Sequence, residues 1–217
     1  MIDFATRRRV MVDTQVRPSD VTKFPIIEAL LSVPREIFVP PNSREIAYAE
    51  GNISLGNNRV LLDPRTLAKM LDALNFTGDE LVLDIGGGLG YSSAVTAKNS
   101  QAVVLLEENS EWIAEAPTLL AEASADNVVV QEGKLVDGAP EFGPYDVIIL
   151  QGGIVQLPDA IIGQLKTGGR VAAIFMEQAL GLVRIGHNYG SDISWRFAFH
   201  ASAPILPGFE AVHEFEL

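Results

Sequence analysis

Five short apolar runs, each followed by a helical or glycine-rich stretch, constrain this 217-residue chain more than any other feature. They are "ELVLDIG" from Glu80, "AVVLLEE" from Ala102, "NVVVQEG" from Asn127, "YDVIIL" from Tyr145 and "RVAAIFM" from Arg170. A run that is apolar at every position, rather than at alternate ones, predicts a strand buried on both faces. Alternation of such strands with helices predicts βαβ units and a parallel sheet. The segments "YSSAVTAKNS", "SEWIAEAPTLLAEAS" (with Pro117 inside it) and "LPDAIIGQLKTGG" supply the helices, the last predicted to close at Gly168-Gly169. After Met176 the rhythm changes. "LGLVRIGHN" and "SWRFAFHASAPI" flank a Gly-Ser-Asp turn, which predicts an antiparallel finish to the sheet.

Upstream, "SDVTKFPIIEALLSVPRE" reads as a helix capped by Ser19 or Asp20, with an apolar stripe through Val21, Phe24, Ile27, Leu30 and Leu31. "FVPPNSREIAYAEGNISLGNNR" is rich in turn residues. "DPRTLAKMLDAL" predicts a second helix, with Asp63 as N-cap and Pro64 at its first position. Together these give a Rossmann-like, doubly wound α/β fold. Residues 1–60 form an N-terminal helical subdomain and loop, and residues 61–217 form the ligand-binding domain of one compact unit.

Composition narrows the function. The formal net charge of −12 argues against nucleic acid or an anionic membrane as partner. The run Arg7, Arg8 and Arg9 reads as a solvated helix face. Without cysteine there is no disulfide, thiolate site or cysteine nucleophile. His187, His200 and His213 lack the spacing of a metal site, so no metal is expected. No signal peptide or membrane span is visible, so the expected location is the cytoplasm, and a monomer is favoured.

The chemistry gathers at "VLDIGGGLGYSS", residues 82–93. Gly86, Gly87, Gly88 and Gly90 lie between a strand and a helix, where the backbone of a doubly wound sheet approaches a ligand. The glycines alone are equally consistent with a tight turn and no ligand. Their spacing is GxGxG rather than the dinucleotide GxGxxG, with Tyr91 at the place of the third glycine. Asp84 would repel a pyrophosphate but suits an ammonium or sulfonium. Glu107, about 20 residues on, stands where an acid meets ribose hydroxyls. A ribose, a cation and no phosphate describe S-adenosylmethionine.

The pattern resembles the class I S-adenosylmethionine-dependent methyltransferases. Through "VPREIFVP", "AYAEGNISLG", "VLDIGGGLGYSSAVTA", "YDVIIL" and "LPDAIIGQLKTGGRV" it resembles the protein-L-isoaspartate O-methyltransferases in particular. The resemblance implies a seven-stranded, mostly parallel sheet and methylation of the free carboxylate of isoaspartyl residues in a damaged protein or peptide. It also places Asp84, Gly86, Gly87, Gly88, Gly90, Glu107, Lys134, Leu135 and Gln151 around the cofactor.

Departures from the family fall on the substrate side. Leu62 stands where the family carries a serine beside the transferred methyl, and Val60 replaces a threonine. Gly133-Lys134-Leu135 replaces Gly-Asp-Gly, and Gln151-Gly152-Gly153 replaces a segment ending in Ala-Ala. No catalytic residue is therefore assigned. Asp63 is a candidate base, but a helix N-cap is the preferred reading of it. Two alternatives stay open: a methyltransferase with another acceptor, and a non-catalytic cofactor-binding module. Trp112 is read as an adenine cover or a packed aromatic, Arg17 and Arg59 as substrate contacts or surface charges, His200 as a strand residue, and Asp146 as structural.

Overall fold

A computed structural model describes residues 3–211, so His213 lies outside the described residues. The apolar runs become five neighbouring strands of a seven-stranded sheet: β3 (Leu81–Ile85), β4 (Ala102–Glu107), β5 (Val128–Glu132), β6 (Tyr145–Ile154) and β7 (Leu165–Glu177). The β5 run lies at the sheet edge with Val129 48% exposed, so it is not buried on both faces as its sequence predicts. β8 (Leu180–Asn188) and β9 (Ile193–His200) complete it in the order β5-β4-β3-β6-β7-β8-β9. The first five pair in parallel, and β8 and β9 pair antiparallel. The chain runs outward from β3 to β5, then returns to β6 on the other side of β3. That reversal creates the crevice at the carboxyl ends of the strands where α/β sheets hold ligands.

Successive side chains of a strand point to opposite faces, and both faces of the inner strands are covered. Val82, Val103, Leu105, Val147 and Ile149 join one core with the N-terminal helices. Leu83, Ile85, Val104, Leu106 and Ile148 join another with Leu157, Ile161, Leu206 and Phe209. The first core includes Met11, Val16, Ile27 and Leu30 alongside Leu67 and Leu71, so the N-terminal segment and the sheet bury each other. Each such side chain stabilises by about 1.5–3 kcal/mol when fully buried.

The helices are α1 (Phe4–Met11), α2 (Phe24–Ser32), α3 (Pro64–Leu74), α4 (Tyr91–Ala97), α5 (Ser110–Glu122) and α6 (Asp159–Ile162). α3 begins as expected, with Asp63 as N-cap and Pro64 in the first turn. Two helices are shorter than the sequence pattern suggests. α2 starts at Phe24, not near Ser19, because Asp20 takes a left-handed φ of 65° and Pro25 has no N–H to offer beyond a first turn. α6 is a single turn. Leu165 pairs with Tyr145, and the sheet claims the Lys166–Gly169 stretch for β7.

Arg8 is not on a solvated face. Its guanidinium reaches Glu36 at 3.3 Å and the Tyr48 hydroxyl at 2.9 Å, because α1 packs back on the turns after α2. Those turns are organised by Arg35, which is wholly buried. It donates to Ala47 O at 2.7 Å and Leu62 O at 2.8 Å, with its guanidinium 4.8 Å from the Tyr91 ring centre. Burial lowers its pKa, and the nearby Tyr91 works the other way. The turn-rich segment ends in a hairpin of β1 (Ile53–Gly56) and β2 (Arg59–Leu61). Asn57 and Asn58 have φ of 50° and 56°, the double left-handed conformation of a two-residue hairpin turn.

Candidate active site at the glycine loop

Asp84, the fourth residue of β3, is completely buried. It accepts from Ser92 Oγ at 2.6 Å, Ser93 Oγ at 2.5 Å and Gln151 Nε2 at 2.7 Å. Burial pushes its pKa up, while the two serines and Gln151 pull it down. Both hydroxyls come from the first turn of α4, so the helix start and the acid fix each other. Gly86, Gly88 and Gly90 have φ of 74°, 59° and 104°, which bulky residues rarely adopt. Gly87 has an ordinary φ and is small for a different reason. A Cβ there would lie 2.4 Å from Leu105 Cδ1 and 2.8 Å from Asp84 Oδ2.

Glu107 closes β4 and is also completely buried. Its Oε1 accepts from the amides of Glu108 at 2.9 Å and Asn109 at 3.1 Å, and its Oε2 from the amide of Gly88 at 2.9 Å. The remaining capacity goes to Arg59. Nη1 reaches Oε1 at 3.1 Å and Nη2 reaches Oε2 at 2.9 Å, a bidentate pair across 48 positions of sequence. Nη2 also donates to Gly86 O at 2.6 Å. Arg59 is only 4% exposed, and its guanidinium lies 5.4 Å from the Trp112 ring centre. The surface-charge reading of Arg59 is corrected: the β1–β2 hairpin folds over the glycine loop and carries the guanidinium inside. Leu55 on the same hairpin lies 2.8 Å from where a Gly88 Cβ would stand.

The other sequence candidates are distributed around this centre. Gln151 is buried and bonds Asp84. Leu135 is buried, and its Cδ1 lies 3.4 Å from the Cβ position of Gly86. Lys134, one residue earlier, is exposed. Leu62 is 2% exposed and belongs to the core. Asp63 caps α3 by accepting from the amides of Arg65 at 2.9 Å and Thr66 at 3.3 Å, and also from the Thr66 hydroxyl. Arg17 pairs with Asp13 at 3.1 Å, and His200 is exposed beside Phe197, both away from the loop. Asp146 accepts from the Leu81 amide at 2.9 Å and pairs with Lys166 at 2.8 Å at the opposite end of the sheet.

Sequence reasoning missed Ser92, Ser93 and the tail. The serines carried a signal, since they follow the last loop glycine directly. The tail carried little. Its Leu206 N donates to Gly153 O at 2.8 Å, and Gly153 N donates to Pro204 O at 2.8 Å. A Cβ on Gly152 would lie 2.6 Å from Leu206 Cδ2, so the Gly152-Gly153 pair exists to let this segment lie against β6.

The polar frame suits a ligand bearing a cation and a ribose: two buried acids at the ends of neighbouring strands, with a glycine turn between them. The space does not suit it as arranged. A Cβ at Gly86 would meet Arg59 Nη2 at 2.8 Å and Leu206 Cδ2 at 3.2 Å, so the clearing made by the glycine is filled by this chain's own side chains. The cavity beside it, lined by Asn57, Arg59, Glu108, Asn109, Trp112 and Pro207, holds about 200 Å³. Pockets for drug-sized ligands run from about 300 to 1,000 Å³. S-adenosylmethionine does not fit this arrangement unless Arg59 leaves.

Comparison with known proteins gives a consistent family. The family model for protein-L-isoaspartate(D-aspartate) O-methyltransferase matches residues 7–188. The chain is 34% identical over 169 residues to protein-L-isoaspartate O-methyltransferase of Pelotomaculum thermopropionicum, covering 78% of this chain and 74% of that one. It is 34% identical over 192 residues to protein-L-isoaspartate O-methyltransferase 1 of Rhodopseudomonas palustris, covering 88% and 78%. Among solved structures, a protein-L-isoaspartate O-methyltransferase superposes with a TM-score of 0.81 at 23% identity, covering 93% of this chain and 66% of that one. A Plasmodium falciparum chain described as the same enzyme, in complex with S-adenosyl-L-homocysteine, superposes with a TM-score of 0.76 at 15% identity, covering 95% and 99%. At these identities the two structures speak for the shared fold.

Proposed function

On the premise that the chain belongs to the protein-L-isoaspartate O-methyltransferase family, we propose that it is an S-adenosylmethionine-dependent methyltransferase acting on the free carboxylate of isoaspartyl residues in proteins or peptides. The observation that carries this reading is the pair of buried acids, Asp84 and Glu107, held at the ends of β3 and β4 on either side of the glycine loop. The bound cofactor supplies the methyl group. The chain's own residues set the site. Ser92, Ser93 and Gln151 fix the orientation of Asp84, and the amides of Gly88, Glu108 and Asn109 fix Glu107. Gly86, Gly87, Gly88 and Gly90 let the backbone lie close to a ligand, and Leu135 forms an apolar wall beside Gly86. Lys134, next to Leu135 in sequence, is exposed.

The acceptor needs no strong base, because a carboxylate at neutral pH is already an anion. Positioning and exclusion of water are then the main contributions. Radiolabelled methyl transfer to an isoaspartyl peptide, against the same peptide with ordinary aspartate, tests the reading. Base-labile label on the isoaspartyl peptide alone is expected; no transfer to either peptide would reject it. A second reading, a methyltransferase with another acceptor, is favoured by one observation: Leu62 is a core residue with no hydrogen-bond donor in its side chain. Transfer to a non-peptide acceptor in place of the isoaspartyl peptide would select it.

A further inference from the structure

We infer that Arg59 is an internal latch: the β1–β2 hairpin seats its guanidinium on Glu107 in the place of the ligand's ribose, and the cofactor binds only when that pair opens. This rests on the cofactor reading above. Glu107 has five donors around it: the amides of Gly88, Glu108 and Asn109, and both terminal nitrogens of Arg59. A carboxylate offers about four lone-pair sites. Nothing is left for a ribose hydroxyl while Arg59 stays. The amides belong to the loop backbone and cannot leave without unfolding it, so Arg59 is the group that a diol would replace.

The closed arrangement is incompletely satisfied. Arg59 Nε is buried without a hydrogen-bond partner. Nη2 lies against the Gly86 carbonyl in the space that the positive φ of Gly86 keeps clear. The hairpin is a short element whose turn residues, Asn57 and Asn58, are exposed. Ile53 and Leu61 anchor the hairpin strands in the core, so opening is confined to the exposed turn and the Arg59 side chain, whose orphaned Nε gains a water partner when it leaves. Apparent affinity for a ligand of the open form is reduced by the fraction of molecules that are open. Arg59 therefore sets cofactor affinity, and a neutral residue in its place raises it.

Calorimetric titration of S-adenosylhomocysteine into wild type, Arg59→Gln and Arg59→Lys tests this, with amide exchange of residues 53–61 measured on the same unliganded proteins. The latch predicts binding about tenfold or more tighter in Arg59→Gln than in wild type. Arg59→Lys should fall between them, because an ammonium cannot make the bidentate contact. Exchange in residues 53–61 should rise in Arg59→Gln, and this readout needs no ligand. Equal or weaker binding by a folded Arg59→Gln, with wild-type binding intact, would overturn the latch and leave the cofactor reading standing. Binding by none of the three would overturn the cofactor reading, and the latch with it. Should Arg59→Gln fail to fold, Arg59→Lys binding no tighter than wild type would overturn the latch by itself.

Discussion

Restoring the family serine, by Leu62→Ser, is the obvious way to seek a more typical enzyme, and the structure predicts that it mainly destabilises the protein. Leu62 is 2% exposed and packs in the larger core. Truncating a buried leucine to alanine costs about 2–5 kcal/mol, through lost transfer energy and the cavity left behind. A hydroxyl in that cavity adds about 1–3 kcal/mol if it finds no partner. It recovers some of this by bonding to its own backbone, so the net expectation is about 3–5 kcal/mol. The Leu62 carbonyl complicates relaxation, because it accepts from buried Arg35 at 2.8 Å and cannot shift freely. With a urea m-value of about 2–3 kcal/mol/M for a chain of this size, the midpoint should fall by roughly 1–2.5 M. Leu62→Ala is the control and should account for most of the loss. Methyl transfer to the isoaspartyl peptide, measured well below the new midpoint, should not rise. A midpoint within about 0.3 M of wild type, or a gain in transfer, would refute the placement of Leu62 in the core and return it to the substrate pocket.

Four further variants have expected outcomes. Asp84→Asn should lose S-adenosylhomocysteine binding, and its stability should vary less with pH than that of wild type. Burial raises the Asp84 pKa despite Ser92, Ser93 and Gln151, so the charged form carries a cost above the folded pKa that vanishes below the unfolded one; in thermal melts carried from neutral pH down past the ordinary aspartate value of about 3.9, wild type should gain stability relative to the variant. Glu80→Gln should act in the opposite sense. Burial works against the Glu80 charge, but Arg170 and the amides of Thr77 and Gly78 outweigh it and hold its carboxyl below its ordinary value. Its stabilisation is present above the unfolded carboxylate pKa and lost as pH falls through the folded one, so the variant should show a shallower acid limb in urea melts. Gly181→Ala should be strongly destabilising because its Cβ would lie 1.9 Å from Ala201 O, a backbone atom; Gly168→Ala, with open space around it but φ of 83°, should cost about 1 kcal/mol by the same melt.

The sheet was legible because its information is local. Runs such as Leu81–Ile85 and Tyr145–Leu150 declare burial on both faces by themselves, and the spacing between them leaves room for crossover helices. Asp84, the loop glycines and Glu107 were legible for a similar reason: each sits at a strand end that the sequence marks. The Asp63-Pro64 start of α3 was equally plain, since a cap acts within three residues. Where tertiary contacts compete with local preference, the sequence misleads. The stretch after Gly163 looks helical, yet Leu165 is drawn into the sheet opposite Tyr145.

What the sequence by itself determined is the frame: a parallel α/β sheet, a glycine turn at its switch point and an acid on either side. What only the tertiary structure decided is how that frame is filled. Arg59 meets Glu107 across 48 positions and Leu206 reaches Gly86 from the far end of the chain. Leu62, adjacent in sequence to the capping Asp63, turns into the core. Those outcomes depend on where a hairpin and a tail come to rest. Long-range packing and the pairing of the buried Arg59 guanidinium with Glu107 fix that, and no periodicity or local propensity records either.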